Sequence, residues 1–411
     1  MSRQVKVSVI GLGYIGLPTS IILSNSGFEV SGFDINKNVV DKINSGTCHI
    51  KEPGLDHALK KAISNGLIAK NTVVESDIFL IAVPTPVSKN NKPDLSYVES
   101  AIDSIIPVLK SDNLVIIEST IPVGTTELMR QKIFKNRKDL LGKIHLSHCP
   151  ERVLPGKILI ELVENDRIVG GVDERSTLLS CDFYKTFVKG NVFPTSDKIA
   201  EMTKLVENAY RDVNIAYANE ISMICDKLGI DISELISLAN RHPRVDILSP
   251  GPGVGGHCIA VDPMFIIDSC PSYSSLIRTA RNVNNKKPRW VIEKILPHIR
   301  NLDKKEISIV CLGCSYKPNV DDTRESPALN IVRRLQKIKS NKNLNILLCD
   351  TYVNESDIDI KINNAKDVVN HSDIILCLVK HDEFLKIDFD NLSSQGKVII
   401  DTCGLWDYRV N

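Results

Sequence analysis

Thirteen residues near the middle of the chain run Gly251-Pro252-Gly253-Val254-Gly255-Gly256-His257-Cys258-Ile259-Ala260-Val261-Asp262-Pro263. Four glycines and two prolines in that space cannot form the interior of a helix or strand. They can form a loop whose backbone comes close to a ligand, with one thiol presented in it and a carboxylate four residues later. Cys258 is therefore a candidate covalent nucleophile, and Asp262 a candidate to handle protons or water beside it. His257 adjoins the thiol, but neighbouring side chains diverge, so it reads as a structural or substrate contact and not as the base. The competing reading is a tight glycine turn around a buried, inert cysteine.

A second polar set lies upstream. From Ser196, a plausible amino-terminal cap, to Leu228 the chain holds no Gly or Pro, which predicts a helix of roughly 45 Å. Lys204, Asn208 and Arg211 fall at i, i+4 and i+7 and so share one face. Lys204 and Asn208 suit an oxyanion, and Arg211 suits a substrate charge. A solvated polar face is the bland alternative. A shorter helix over 232–239 leads into Asn240-Arg241-His242-Pro243-Arg244-Val245 and then the thiol loop.

The elements that must position these groups begin at the amino terminus. A buried strand over 5–10 runs into Gly11-Leu12-Gly13-Tyr14-Ile15-Gly16, then a helical pattern, then a strand over 30–33 that ends at Asp34. This is the dinucleotide fingerprint in its required setting of strand, glycine turn, helix, strand and acid. Its glycines admit the pyrophosphate to a helix amino terminus. Asp34 suits the adenosine ribose and would repel a 2′-phosphate, which favours NAD over NADP. Further strands over 78–83 and 114–117, separated by a helix over 96–109, end in Val83-Pro84-Thr85-Pro86 and in Glu118-Ser119-Thr120-Ile121-Pro122. In an open parallel sheet both loops face the ligand, so Thr85 and Thr120 are candidate contacts at the nicotinamide end, set against ordinary turn capping. A strand over 144–147 ends at the polar cluster Cys149-Pro150-Glu151-Arg152-Val153.

Alternation restarts after Lys305, with strands over 307–311, 346–349, 374–379 and 398–400 and a helix over 327–337. Its first strand and helix flank Tyr316-Lys317-Pro318-Asn319-Val320-Asp321-Asp322-Thr323-Arg324, where Lys317 and Arg324 are candidates for a diphosphate or cofactor contact. The expected fold is α/β, with two doubly wound Rossmann-like domains joined by a long central helix and a small helical dimerisation domain. The expected boundaries are 1–195 for the NAD-binding domain, 196–295 for the central domain and 296–411 for the carboxyl-terminal one.

Composition narrows the function classes. The 411 residues carry 51 basic and 50 acidic side chains, well mixed, which argues against a nucleic-acid surface. Eleven cysteines without a repeating spacing suggest reduced thiols in the cytoplasm. Cys311 and Cys314 form a CxxC with no second pair at zinc spacing, so no metal is expected. No apolar run reaches the roughly 18 residues of a membrane span, and Gly11, Gly13 and Gly16 break up what resembles a signal peptide.

Together these stretches closely resemble the nucleotide-sugar 6-dehydrogenases, the UDP-glucose and GDP-mannose dehydrogenase family. The markers are GLGYIGLP, Asp34, VPTP, EST, PERVLPG, EMTKLVENAYRDVNIAYANE, GPGVGGHCIAVDP and SYKPNVDDTRESP, spread over essentially the whole chain. GGHC and NRHPRV look like the branch acting on UDP-N-acetylhexosamines, with UDP-N-acetyl-D-mannosamine the expected substrate and UDP-N-acetylglucosamine the alternative. The resemblance implies a four-electron oxidation of a C6 alcohol to a carboxylate with two NAD, through a thiohemiacetal and a thioester on Cys258. It implies that Lys204 and Asn208 stabilise oxyanions and that Asp262 and Glu151 manage protons or water, with Thr120 helping to place the water. Arg152, Val153, Lys204, Asn208, Arg211, His242, Arg244, Gly255, Tyr316 and Lys317 would bind the nucleotide sugar. Gly11, Gly13, Tyr14, Ile15, Gly16, Asp34, Thr85, Thr120 and Arg324 would bind NAD. The position of Arg244 implies a homodimer in which it reaches the partner's site. Cys403 departs from the pattern, since some UDP-glucose enzymes have an arginine nearby. An acidic sugar for a surface polysaccharide is the expected product. The competing classes are a two-electron hydroxyacid dehydrogenase, which needs neither thiol loop nor third domain, and a non-catalytic NAD-responsive protein.

Overall fold

The computed structural model describes residues 4–406 apart from 89, 91, 257 and 339–341. His257 therefore lies outside the described residues. The chain divides into two compact units, residues 1–207 with 264–269, and residues 208–263 with 270–411.

The first unit is built on eight strands: β1 (Lys6–Ile10), β2 (Glu29–Phe33), β3 (Ile68–Lys70), β4 (Ile78–Ile81), β5 (Leu114–Ile117), β6 (His145–His148), β7 (Arg167–Gly171) and β8 (Val192–Ser196). They lie in the order β3-β2-β1-β4-β5-β6-β7-β8. All pairs are parallel except β6 with β7. Alternate residues enter different cores: Leu114 and Ile116 pack with Val7, Val9 and Leu80, while Val115 and Ile117 pack with Ile10, Phe79 and Ile81. A sheet apolar on both faces must be covered on both, which is why these strands read as continuous apolar runs. The strand order reverses between β1 and β4, where such sheets open a ligand crevice. β8 is a partly exposed edge strand, and an edge tolerates its Pro194.

In the second unit β9 (Glu306–Leu312), β10 (Asn343–Cys349), β11 (Ile374–Cys377) and β12 (Val398–Asp401) form a parallel sheet in the order β10-β9-β11-β12. Here too the faces alternate: Ile307, Ile309 and Cys311 meet Val291, Ile295 and Ile299 of the helix Ser275–Asn301, while Val310 and Leu312 face Phe384, Phe389 and Leu392.

The predicted long helix runs Asp197–Leu228, one residue inside Ser196, whose hydroxyl accepts from Ile199 N at 3.4 Å. Its 32 residues span about 48 Å. The 27-residue helix Ser275–Asn301 has no counterpart in the sequence reading, because Pro288 and Pro297 sit inside it. Each removes one backbone donor, the feature that normally argues against a helix interior.

Candidate active site

At the amino-terminal crevice the glycine turn is held by contacts that only glycine permits. Gly11 has φ +91, and a Cβ there would lie 2.6 Å from the Ala82 carbonyl oxygen; one on Gly16 would lie 1.8 Å from the Gly11 oxygen. Gly13 has open space where its Cβ would be. Among the described residues no side chain caps the helix Gly16–Asn25; Leu17 N turns back to Gly13 O at 3.1 Å and Pro18 has no N–H, so what favours an anion at this turn is the positive end of the helix and not a row of free first-turn amides. Asp34 closes the turn: Leu12 N donates to Oδ2 at 3.0 Å and Asn36 N to Oδ1 at 2.8 Å. The carboxylate thus braces the loop and keeps acceptor sites for a ribose. Tyr14 and Gly13 are exposed and Ile15 half-buried. This cradle fits a dinucleotide.

The loops after β4 and β5 are stapled by Ser119. Its hydroxyl accepts from Val83 N at 2.9 Å and donates to Val83 O at 2.7 Å, beside half-buried Thr85 and Thr120. The helix Thr125–Asn136 opens at Gly124, φ +93, which has no side chain to cap it. Glu201 on the long helix supplies the cap instead: it accepts from Gly124 N at 2.6 Å and from Thr126 N and Oγ1 at 2.8 and 2.7 Å. Burial raises its pKa, and these three bonds hold it down.

After β6, Glu151 is 8% exposed, with both oxygens engaged. Oε1 accepts from Arg152 N and Oε2 from Arg167 Nη1, each at 2.6 Å. Arg152 pairs with Glu207 through Nη2 at 2.7 Å, and Val153 beside it is half-buried. His148 is fully buried and kept neutral, its pKa lowered to about 3 by desolvation, with the Lys204 ammonium adding to the effect.

In the second unit the thiol loop packs against the segment after β9. A Cβ on Gly255 would lie 2.6 Å from the Glu325 carbonyl oxygen, and one on Gly256 (φ +81) would lie 2.9 Å from the Tyr316 ring. Gly256 N donates to Arg324 O at 3.0 Å. Cys258 is half-buried, and its carbonyl accepts from Val261 N and Asp262 N at 3.0 and 2.9 Å. Asp262 begins the helix Asp262–Ser269 and meets Asn208, whose Nδ2 lies 2.5 Å from Oδ2. Burial raises the Tyr316 phenol pKa, with Asp322 and then Cys258 adding to it, which puts the tyrosine near the thiol. Lys204, half-buried, is one turn before Asn208 on the same helix, and Arg211 is exposed.

Asn240 closes the following loop, donating to Ile247 O at 3.0 Å and accepting from Ile247 N at 2.8 Å, and leaves His242 and Arg244 exposed. Ser315 Oγ donates to the carbonyl of Lys317 at 2.8 Å. Arg324 is exposed and forked onto Asp322, with Nη2 to Oδ2 at 2.6 Å.

Sequence reading missed the residues that hold the others: Arg167 beneath Glu151, Glu201 beneath the Thr120 loop, and the pair His381–Asp350. His381 Nδ1 accepts from Asn319 N at 2.9 Å and Nε2 faces Asp350 Oδ2 at 3.2 Å, both under the Tyr316–Lys317 loop. Each acts on a loop 16 or more positions away in sequence, so no local pattern marks it. Among the described residues no disulfide joins cysteines and no group of His, Cys, Asp and Glu is set to hold a metal. Cys311 and Cys314 are buried, and desolvation pushes both thiols up. Cys403 stands beside Asp401, its thiol likewise raised by burial. No helix among the described residues is long and apolar enough to cross a membrane.

Comparison with known proteins agrees along the chain. Residues 5–188, 198–286 and 310–408 match the NAD binding, central and UDP binding domains of the UDP-glucose/GDP-mannose dehydrogenase family. An NDP-N-acetyl-D-galactosaminuronic acid dehydrogenase of Ralstonia solanacearum is 48% identical, covering 98% of this chain and 96% of its own. A UDP-N-acetyl-D-mannosamine dehydrogenase of Campylobacter jejuni is 46% identical, covering 96% and 100%. Among solved structures, a UDP-D-ManNAc dehydrogenase of Pyrococcus horikoshii superposes with a TM-score of 0.88 at 40% identity, covering 98% and 96%. The Staphylococcus aureus UDP-N-acetyl-mannosamine dehydrogenase gives 0.86 at 42%, covering 97% and 95%. The chain belongs to the UDP-glucose/GDP-mannose dehydrogenase family and is an NAD-dependent oxidoreductase of nucleotide sugars.

Proposed function

We propose that the protein oxidises C6 of UDP-N-acetyl-D-mannosamine to the carboxylate in two successive two-electron steps. The observation that carries this reading is the thiol loop: a half-buried Cys258 whose own backbone leads in one turn to Asp262, with the Asn208 amide on that carboxylate. NAD bound at the glycine cradle supplies a hydride acceptor twice per sugar. Asn208 and Lys204, one helical turn apart, stabilise the C6 oxygen as it gains negative charge. The C6 hydroxyl loses a proton and a hydride to give the aldehyde. Cys258 Sγ then bonds to C6 while its proton passes to the carbonyl oxygen, that hydroxyl releases its proton as a second hydride leaves C6, and the resulting thioester is cleaved by water to the carboxylate and free thiol. Asp262 is the proton acceptor for that water. Glu151, fixed by Arg167, orders it together with Thr120. Arg152, Val153, Arg211, His242, Arg244, Gly255, Tyr316 and Lys317 hold the nucleotide sugar. Thr85 and Arg324 complete the NAD contacts.

The sugar named for the relatives from Campylobacter and Pyrococcus supports the mannosamine substrate. The Ralstonia relative supports a galactosamine derivative as the second reading. The enzyme is a cytoplasmic homodimer through its central segment. Along the long helix Met202, Val206, Tyr210, Tyr217, Ile224 and Leu228 recur every four or seven residues and are 37–69% exposed, an apolar stripe that a partner helix would cover. Side-by-side assays with UDP-ManNAc, UDP-GlcNAc and UDP-GalNAc identify the substrate. The wild type should form two NADH per sugar consumed, and Cys258→Ser should form no carboxylate. One NADH per turnover in the intact enzyme would refute the four-electron reading.

A further inference from the structure

Asn208, Asp212 and Asn219 stand at i, i+4 and i+11 of the long helix, so they share one face, and they are 6%, 0% and 0% exposed. A buried amide is costly unless both its ends are bonded, and Asn219 satisfies both. Its Oδ1 accepts from Gly251 N at 2.9 Å, and its Nδ2 donates to Asn284 Oδ1 at 2.9 Å. Asn284 Nδ2 in turn donates to Asp212 Oδ1 at 2.8 Å, and Arg281 Nη1 reaches the same oxygen at 2.7 Å. The directions are fixed by chemistry: a backbone N–H can only donate and a carboxylate only accepts, so each amide between them has one allowed orientation.

Gly251 lies between Pro250 and Pro252. Neither proline has an N–H, so the Gly251 amide is the sole backbone donor at the head of the thiol loop, and Asn219 takes it. At the other end of the loop Asn208 takes Asp262. One helix face therefore grips both ends of the loop that carries Cys258, at points about 16 Å apart along the axis.

We propose that Asn219 is a positioning residue for the Cys258 thiol, acting through Gly251 and held in register by Asn284, Asp212 and Arg281. This rests on Cys258 being the nucleophile. A purely structural amide would lower stability when removed and leave the chemistry of the folded enzyme alone. A positioning amide sets where the sulfur stands when the aldehyde forms.

Three variants are compared in the full-length enzyme. Asn219→Ala is expected to lower kcat about 10- to 100-fold, to leave KM for NAD unchanged, and to bring the NADH formed per sugar from two towards one as aldehyde escapes capture. Asn219→Asp, protonated in this buried site, keeps an oxygen for the Gly251 N–H and an O–H for Asn284 Oδ1, and should retain the two-NADH stoichiometry even where its melting point falls. The inference is overturned if folded Asn219→Ala keeps kcat within about twofold of wild type, or if Asn219→Asp loses stoichiometry as fully as Asn219→Ala. Cys258→Ser separates the two failures. A Cys258→Ser enzyme that still makes carboxylate removes the nucleophile reading itself, whereas an inactive Cys258→Ser beside a normal Asn219→Ala removes only the role of Asn219.

Discussion

Two buried carboxylates close to the same strand ends face different partners. Glu151 has Arg167 at 2.6 Å, whereas Glu118 takes the Tyr184 hydroxyl at 2.7 Å on Oε1, and among the described residues its Oε2 has no hydrogen-bond partner. Burial raises the Glu118 pKa to about 7; Arg167 opposes, and the Glu151 charge adds to the rise. An acid whose folded pKa lies above its unfolded value near 4.5 binds more protons in the native state between those two values. Stability therefore falls as pH rises from about 4.5 to about 7 and stays reduced above that range. Glu118→Gln keeps an oxygen for Tyr184 and carries no charge. It should match the wild type in thermal midpoint near pH 4.5 and exceed it near pH 8, by an amount corresponding to about 1–3 kcal/mol. Midpoints measured at both pH values decide it: an equal difference at the two would mean that ionisation of Glu118 is not the cause.

At the scale of elements, what was legible in the sequence is what repeats or breaks locally. β1, β4, β5, β9 and β11 are apolar on both faces, so their runs stand out, and the glycine turn and the thiol loop announce themselves by composition. β7 and β8 were not legible. One runs antiparallel to β6 with a buried arginine at its start, and the other is an exposed edge that carries a proline. The supports Arg167, Glu201 and Asn219 were hidden because only the folded chain brings them to their loops. The turn itself separates two kinds of glycine. Gly16 is fixed by the Gly11 carbonyl, whereas at Gly13 no atom of the described residues beyond its chain neighbours lies within 4 Å of where a Cβ would be. If Gly13 exists for the pyrophosphate, Gly13→Ala should leave the melting point of the NAD-free enzyme unchanged and weaken NAD binding at least about tenfold. Calorimetric titration with NAD against a melting curve tests this, and an unchanged affinity would show that the pyrophosphate passes elsewhere.

At the scale of the whole molecule, the exposed stripe on the long helix and the exposed loop carrying Arg244 make a joint prediction. In a twofold dimer each site takes Cys258 from one chain and, on the proposed reading, Arg244 from the partner. Cys258→Ser and Arg244→Ala homodimers are then both inactive. In a mixed dimer one site lacks both groups, and the other has Cys258 from the Arg244→Ala chain and Arg244 from the Cys258→Ser chain. Random re-pairing of equal amounts makes half the dimers mixed, each with one intact site, so activity should return to about a quarter of wild type. Placing Tyr217→Glu in both chains buries a charge in the stripe and should abolish this recovery while shifting sedimentation towards monomer. If mixed dimers form, as verified with two differently tagged chains, and no activity returns, Arg244 serves the site of its own chain and the stripe holds the subunits together without completing either site.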